Sequence, residues 1–217
     1  MSGIFLSETT RDVPLVPARA ALLFVDVQNF SCHPDGAEWD GMSEAERAEK
    51  KAPFLSLMTA EVLPRMQRLQ AACRKAGVEV MYTTIESLTK DGRDRSLDYK
   101  ITGFNVPKGS WDGRVVDEIA PGEDEIVLPK SSSSVFVSTN IDYILRNLGV
   151  QQLVISGVLT DQCVESAIRD ACDLGYLVTQ VTDACATFAE ARQAASLSAI
   201  SGYCRQVTTD ELIAELG

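Results

Sequence analysis

The sequence lacks the features that mark membrane, nucleic-acid-binding and zinc-ribbon proteins. No apolar run approaches the roughly 18 residues of a membrane-spanning helix, so we expect no transmembrane segment. Lys and Arg number 20 against 31 Asp and Glu, for a net charge of −11. A duplex-binding protein needs a basic face, so we expect no nucleic-acid partner. None of the six cysteines forms a Cys-x-x-Cys pair, which argues against a zinc ribbon or a thioredoxin-like site.

The beginning of the chain indicates a cytoplasmic protein. The first ten residues have no basic stretch followed by a long apolar one, so we expect no secretory signal. The scattered cysteines are then expected to be reduced thiols. With 217 residues, of which 45% are hydrophobic, the chain can bury a core without disulfides. We therefore predict a single domain over residues 1–217.

Short apolar runs alternate with amphipathic stretches along most of the chain. The runs predict strands at 20–26, 78–85, 125–130, 152–158, 176–182 and 204–207. The stretches between them predict helices at 62–76, 139–148, 161–174, 189–200 and 209–216. Such alternation is typical of an α/β fold, a parallel sheet with helices on both faces. The polar segment 86–122 is longer than an ordinary loop, which suggests a functional role or short elements within it.

Three reactive side chains stand at the ends of predicted strands. Asp26 ends the first strand, Lys130 ends the third, and Cys163 follows the fourth at the start of a helix. Ligands of open parallel sheets lie at the carboxyl ends of the strands. There a helix N-terminus and a lysine would favour a thiolate, while an aspartate could move the proton. Taken singly, each residue is more often a cap, a solvated lysine or a buried structural cysteine.

Longer motifs around these residues resemble one enzyme family. The motifs are Ala-Leu-Leu-Phe-Val-Asp-Val-Gln-Asn at 21–29, Lys130 followed by Ser134 and Phe136, and Gly-Val-Leu-Thr-Asp-Gln-Cys-Val-Glu at 157–165. Together they resemble the isochorismatase-like cysteine hydrolases, which include nicotinamidases, N-carbamoylsarcosine amidase and ureidoacrylate amidohydrolase. The resemblance covers residues 20 to 208, and the 33-residue separation of Lys130 and Cys163 is part of it.

The resemblance implies a fold and a set of catalytic roles. The fold is a three-layer αβα arrangement with a six-stranded parallel sheet of order 3-2-1-4-5-6. Asp26 would be the general base and acid, Lys130 the charge that lowers the thiol pKa, and Cys163 the nucleophile. A cis peptide bond between Val158 and Leu159 would aim the backbone N–H groups of Leu159 and Cys163 at an oxyanion. The enzyme would cleave a C–N bond of a small linear amide or ureido/carbamoyl compound through a thioester, with ureidoacrylate-type chemistry slightly favoured.

Departures from the family pattern narrow this expectation. His33 is the only histidine, too few for the metal site of nicotinamidases, so we expect neither a metal nor another cofactor. Family members that cleave the vinyl ether of isochorismate lack a cysteine at this turn, so Cys163 favours amide chemistry. An isochorismatase-type or cyclic-amide hydrolase and an inactive family member that acts as a binding scaffold remain alternatives.

The loops that follow the predicted strands are expected to supply the substrate contacts. Candidate substrate-binding residues lie past the first two strands; they are Asn29, Phe30, Trp39, Arg93 and Arg95. An arginine of this set could hold a substrate carboxylate, although a solvated, self-paired loop is the more common role of such residues. Family members commonly form dimers to tetramers, so we expect a homo-oligomer. The sequence leaves open whether segment 86–122 covers the site of its own or of a neighbouring subunit.

Overall fold

The protein is described by a computed structural model over residues 10–217. Its six strands are β1 Ala20–Val25, β2 Glu79–Ile85, β3 Ile126–Lys130, β4 Gln152–Val158, β5 Leu177–Ala186 and β6 Arg205–Val207. All of them pair in parallel, in the order β3-β2-β1-β4-β5-β6. Helices flank the sheet, which confirms the predicted α/β fold class and the strand order that the family resemblance implied.

The sheet separates two apolar layers. Every residue of β1 and β4 is buried, because these strands lie in the middle of the sheet and helices cover both faces. Successive side chains of a strand point to opposite faces. Leu22 and Phe24 accordingly join one apolar cluster, while Ala21, Leu23 and Val25 join the other. This burial fixes the strand register and with it the position of the residues at the strand ends.

Residues 10–217 contain ten α-helical segments between and after the strands. They are α1 Asn29–Cys32, α2 Glu44–Glu46, α3 Ala52–Leu57, α4 Leu63–Ala76, α5 Leu97–Thr102, α6 Val135–Ser138, α7 Ile141–Asn147, α8 Glu165–Asp173, α9 Glu190–Ile200 and α10 Thr209–Leu216. Between residues 10 and 217, no helix combines the length and the apolar character that crossing a membrane would require.

The helix before β2 is longer than the sequence pattern predicts. Segments α2, α3 and α4 form one helical stretch, joined by π turns at Arg47–Lys51 and Met58–Val62. Pro53 and Pro64 each stand at the second position after a π turn. A proline inside a helix removes one backbone hydrogen bond and crowds the carbonyl four residues earlier, and wider turns relieve this crowding. The turns also shift the apolar periodicity, so the pattern predicts only residues 62–76.

The polar segment 86–122 lies across the carboxyl ends of the central strands. It contains α5 and two short 3₁₀ turns, Trp111–Gly113 and Asp117–Ile119. Val115 forms an isolated bridge with Gln28, just past β1. The amide of Gln28 donates hydrogen bonds to the carbonyls of Ile85 and Asp112, which ties the segment to β2 as well. This anchoring brings α5 to the edge where the catalytic candidates lie.

Candidate active site

Three strand-end side chains meet at the carboxyl edge of the sheet. Asp26 directly follows β1, Lys130 ends β3, and Cys163 lies in the π turn Thr160–Val164 that follows β4. The amine Nζ of Lys130 lies 2.8 Å from Oδ2 of Asp26 and 3.3 Å from Sγ of Cys163. All three residues are buried. Residues that are 104 and 33 positions apart in the chain thus form one contiguous group.

The backbone of Asp26 is held in an unusual conformation. Its φ of 56° lies in the left-handed region, which costs a non-glycine residue about 1–3 kcal/mol. Hydrogen bonds to β2 hold it there. Its N–H donates to the carbonyl of Thr83 at 3.0 Å, and the Thr83 hydroxyl donates to Oδ1 at 2.9 Å. One carboxylate oxygen is thereby fixed, and the other faces Lys130.

Lys130 is a fully buried cation with three neighbours. Besides contacting Asp26 and Cys163, its amine donates a hydrogen bond to the carbonyl of Ser132 at 2.8 Å. Burial alone would lower the pKa of Lys130, but the negative charge of Asp26, with smaller contributions from its other neighbours, outweighs burial and raises the pKa above its usual value. The amine therefore stays charged throughout the pH range of a working enzyme.

Burial affects the pKa of the Cys163 thiol more strongly than the neighbouring cation Lys130 does. Burial raises the pKa of this thiol to about 12, while Lys130 lowers it and the charge of Asp26 adds to the increase. Lys130 thus lowers the thiol pKa, but burial outweighs this effect. Attack by the sulfur is helped by a base that takes the thiol proton. Asp26, whose Oδ2 contacts the amine of Lys130, is the carboxylate beside the thiol.

A close approach between β4 and β1 precedes the cysteine turn. A side chain on Gly157, whose φ is 147°, would lie 2.2 Å from the carbonyl oxygen of Val25, so only glycine fits. The peptide bond between Val158 and Leu159, at the end of β4, is cis. Residues that follow β5 hold the turn in place, because Asp161 accepts a hydrogen bond from Thr187 at 2.5 Å and pairs with Arg192.

Helix α5 contributes a further polar group that the sequence analysis missed. The hydroxyl of Tyr99 lies 3.9 Å from the sulfur of Cys163, and the tyrosine is buried. The side chain of Ser96 caps the helix by accepting a hydrogen bond from the N–H of Tyr99. A serine at 96 is a recognisable helix-start signal, but nothing in the pattern shows where the short helix packs.

A cavity of about 450 Å³ opens above the sulfur. Its walls carry aromatic and acidic side chains besides Leu159 and Cys163. The aromatic ones are Phe30, Tyr99, Phe104 and Phe188, and the acidic ones are Asp26, Glu38 and Asp98. This volume suits a small molecule, and the reacting group would lie at the end that holds Cys163.

The other predicted substrate residues lie in different places. Phe30 lines the cavity. Asn29 and Trp39 do not, because the amide of Asn29 donates to the carbonyl of Trp111 and the indole of Trp39 donates to the carbonyl of His33. The ring of Trp39 also packs on Phe188, so this tryptophan supports the cavity wall from behind.

The two arginines are likewise not at the cavity. Arg93 is exposed and pairs with Asp91 at 3.0 Å. The guanidinium of Arg95 donates to the backbone carbonyls of Gly92 at 2.9 Å and Phe104 at 2.7 Å. Both contacts match the self-paired loop that the sequence analysis left open as the alternative. In the part of the chain that the structure describes, no three His, Cys, Asp or Glu side chains are grouped so as to hold a metal ion.

Comparisons with known proteins agree with this geometry. The family model described as the Isochorismatase domain matches residues 20–211. A cysteine hydrolase from Pseudomonas syringae pv. phaseolicola 1448A is 26% identical, with 97% of this chain and 98% of that chain covered and a TM-score of 0.81. N-carbamoylsarcosine amidase from Thermoplasma acidophilum is 25% identical, with coverages of 88% and 97% and a TM-score of 0.65.

A third structure shows the same fold at lower identity. It is an isochorismatase-like hydrolase from Alkaliphilus metalliredigens, 23% identical, with coverages of 92% and 99% and a TM-score of 0.70. The family model spans most of the chain, from β1 into α10, and includes all three strand-end side chains. The strand order, the strand-end residues and the family match lead to one conclusion: this chain belongs to the isochorismatase family of hydrolases.

Proposed function

We propose that the protein is a cysteine-dependent amidohydrolase that cleaves a C–N bond of a small linear amide or ureido/carbamoyl compound. The observation that carries the proposal is the single amine of Lys130, which contacts both a carboxylate and a thiol at the end of a cavity. A thiol with a base beside it is the arrangement that nucleophilic acyl transfer requires. Cys163 is the nucleophile, Asp26 the general base and acid, and Lys130 the fixed positive charge.

The first half of the reaction forms a thioester. The sulfur of Cys163 attacks the carbonyl carbon while Asp26 takes the thiol proton, which compensates for the raised thiol pKa. The backbone N–H groups of Leu159 and Cys163 stabilise the oxyanion. The tetrahedral intermediate then collapses, the C–N bond breaks, and the proton held by Asp26 passes to the departing nitrogen, which leaves as ammonia or an amine.

The second half regenerates the enzyme. Asp26 takes a proton from a water molecule that attacks the thioester carbon. The C–S bond breaks, the sulfur recovers a proton from Asp26, and the product leaves as a carboxylic acid. With a ureide substrate the product is a carbamic acid, which releases carbon dioxide. Lys130 stays protonated throughout and keeps the carboxylate and the sulfur in position.

Two relatives support this choice of chemistry. One of the similar structures is named as a cysteine hydrolase and another as an N-carbamoylsarcosine amidase. The presence of a sulfur at the cysteine turn supports an acyl-enzyme route over cleavage of a vinyl ether. Ureidoacrylate-type compounds are one substrate group to include in a screen.

The test is an ammonia-release screen over small amides and ureides. We expect turnover with the wild-type protein and a loss of at least about a thousandfold in Cys163→Ser. Cys172→Ser is the matched control, because Cys172 is a half-buried thiol on α8 and does not line the cavity. An acyl mass on the peptide that contains Cys163, trapped by acid quench, would identify the thioester.

Two results would contradict the proposal. Turnover that survives Cys163→Ser would remove the sulfur from the mechanism. A correctly folded wild-type protein that releases ammonia from no compound of the screen, and whose sulfur takes up no acyl group, would favour the binding scaffold instead.

A further inference from the structure

The carboxylate of Glu38 lies in the wall of the catalytic cavity without a partner. Glu38 belongs to the 3₁₀ turn Ala37–Trp39 and lines the same cavity as Cys163. The side chain is half-buried, and it forms no ion pair or hydrogen bond with any residue from 10 to 217. Burial raises the pKa of Glu38 to about 7, and the charge of Lys50 only partly opposes this. A partly desolvated carboxylate of this kind is stabilised when a cation comes beside it.

No basic side chain of the described residues lines this cavity. Lys130 pairs with Asp26 and Arg192 pairs with Asp161, while Lys50, whose charge acts on Glu38, is exposed and does not line the cavity. A carboxylate on the substrate would find no arginine or lysine to receive it, and it would lie in the field of Glu38. The cavity therefore disfavours anionic substrates.

The aromatic walls add to the same preference. The rings of Phe30 and Phe104 contact each other with centroids 4.7 Å apart, and both line the cavity. Aromatic faces attract an ammonium or guanidinium group through their quadrupole. Phe188 already has the guanidinium of Arg192 5.9 Å from its ring centroid on one side. Aromatic rings and an unpaired carboxylate are the combination that binds organic cations.

We propose that the cavity selects amides whose distal group is cationic, an ammonium or a guanidinium, over amides that carry a carboxylate, and that Glu38 is the residue that determines this specificity. The inference rests on the proposed amidohydrolase function and names its substrate class. It replaces the expectation that Arg93 or Arg95 binds a substrate carboxylate, because both guanidinium groups are paired outside the cavity.

The first test compares three amides of similar length at pH 8, where Glu38 is ionised. They are 4-aminobutanamide, pentanamide and succinamate, which are cationic, neutral and anionic at the far end. We expect kcat/KM to fall in that order, with at least about a tenfold gap between the first and the last. Glu38→Gln should reduce the preference for the cation over the neutral amide by about tenfold, and Glu38→Lys should invert it.

The matched control is Glu44→Gln, which makes the same chemical change at an exposed carboxylate in α2 that does not line the cavity. We expect this variant to keep the wild-type order of the three amides. Equal hydrolysis of succinamate and 4-aminobutanamide would overturn the inference and leave the amidohydrolase proposal intact. Unchanged ratios in Glu38→Gln would overturn the role of Glu38.

The second test needs no turnover. Alkylation of Cys163 by iodoacetamide, iodoacetate and 2-bromoethylamine is followed by peptide mass spectrometry, with free cysteine as the reference for intrinsic rates. We expect iodoacetate to be disfavoured and 2-bromoethylamine favoured relative to the reference, with both effects weakened in Glu38→Gln. If the alkylation rates depend on reagent charge but no amide is hydrolysed, the proposed function is refuted while the preference of the cavity for cations is supported. Alkylation rate ratios equal to those of free cysteine would refute the preference for cations itself.

Discussion

Replacing Lys130 with methionine removes the positive charge that contacts both Asp26 and Cys163. The methionine fills a similar volume, so the change is mainly electrostatic. Asp26 is 2% exposed and Lys130 is 0% exposed, so the carboxylate would be left buried without its partner. Breaking a buried ion pair in this way costs roughly 3–5 kcal/mol. For a chain of this size the midpoint of thermal unfolding should fall by roughly 6–20 °C.

The assay is urea unfolding of the wild type, Lys130→Met, Asp26→Asn and the double variant at pH 7. Lys108→Met serves as the control, because Lys108 is exposed. The double variant should be more stable than the sum of the single effects predicts, by roughly 0.5–3 kcal/mol. A penalty below about 1 kcal/mol for Lys130→Met would refute the description of these residues as a buried charge pair.

Three further predictions concern the turn before the cysteine, the buried thiols and metals. Gly157→Ala should destabilise the fold by at least about 3 kcal/mol in urea unfolding, because the added carbon would overlap the backbone of Val25; wild-type stability would contradict this close approach. Burial raises the folded pKa of several thiols from 9.0 to about 12. The free energy of unfolding should therefore fall above pH 9, by up to about 1.4 kcal/mol per pH unit for each of these thiols. A free energy of unfolding that stays constant between pH 9 and 10.5 would contradict this burial. These thiols are Cys32, Cys73, Cys163, Cys185 and Cys204. Turnover should survive dialysis against EDTA, since in the proposed mechanism Asp26 and Lys130 alone activate the sulfur; loss that added metal restores would show that the mechanism is incomplete.

The periodic parts of the sequence predict most of the fold. Buried strands such as β1 carry a continuous apolar run, and their ends mark where Asp26 and Lys130 lie. The order of the strands does not follow from periodicity, and it came from the family resemblance. The early start of the helix at Glu44 was missed because two π turns shift the apolar spacing.

The parts of the site that escaped prediction come from segments without a pattern. Tyr99 lies on the short helix α5 and Glu38 lies on a 3₁₀ turn. The positions of both elements depend on long-range contacts, such as the bond from Ala37 N–H to the carboxylate of Asp112. Charge alone suggested Arg95 as a substrate ligand, whereas backbone carbonyls occupy its guanidinium. Burial raises the pKa of the Cys163 thiol more than Lys130 lowers it. The sequence does not show how deeply Cys163 is buried, so it could not predict the thiol pKa. Self-association stays a prediction.

The position of β3 has a consequence for how the enzyme loses activity. Within residues 10–217 this strand pairs with β2 alone and lies at the border of the sheet, and two of its five residues are exposed while two more are half-buried. Pro129 cannot donate a ladder hydrogen bond and is tolerated because one side of the strand is unpaired. Border strands detach more readily than central ones. Since Lys130 lies on this strand, mild heating should abolish the activity while the circular dichroism spectrum is still that of the native protein.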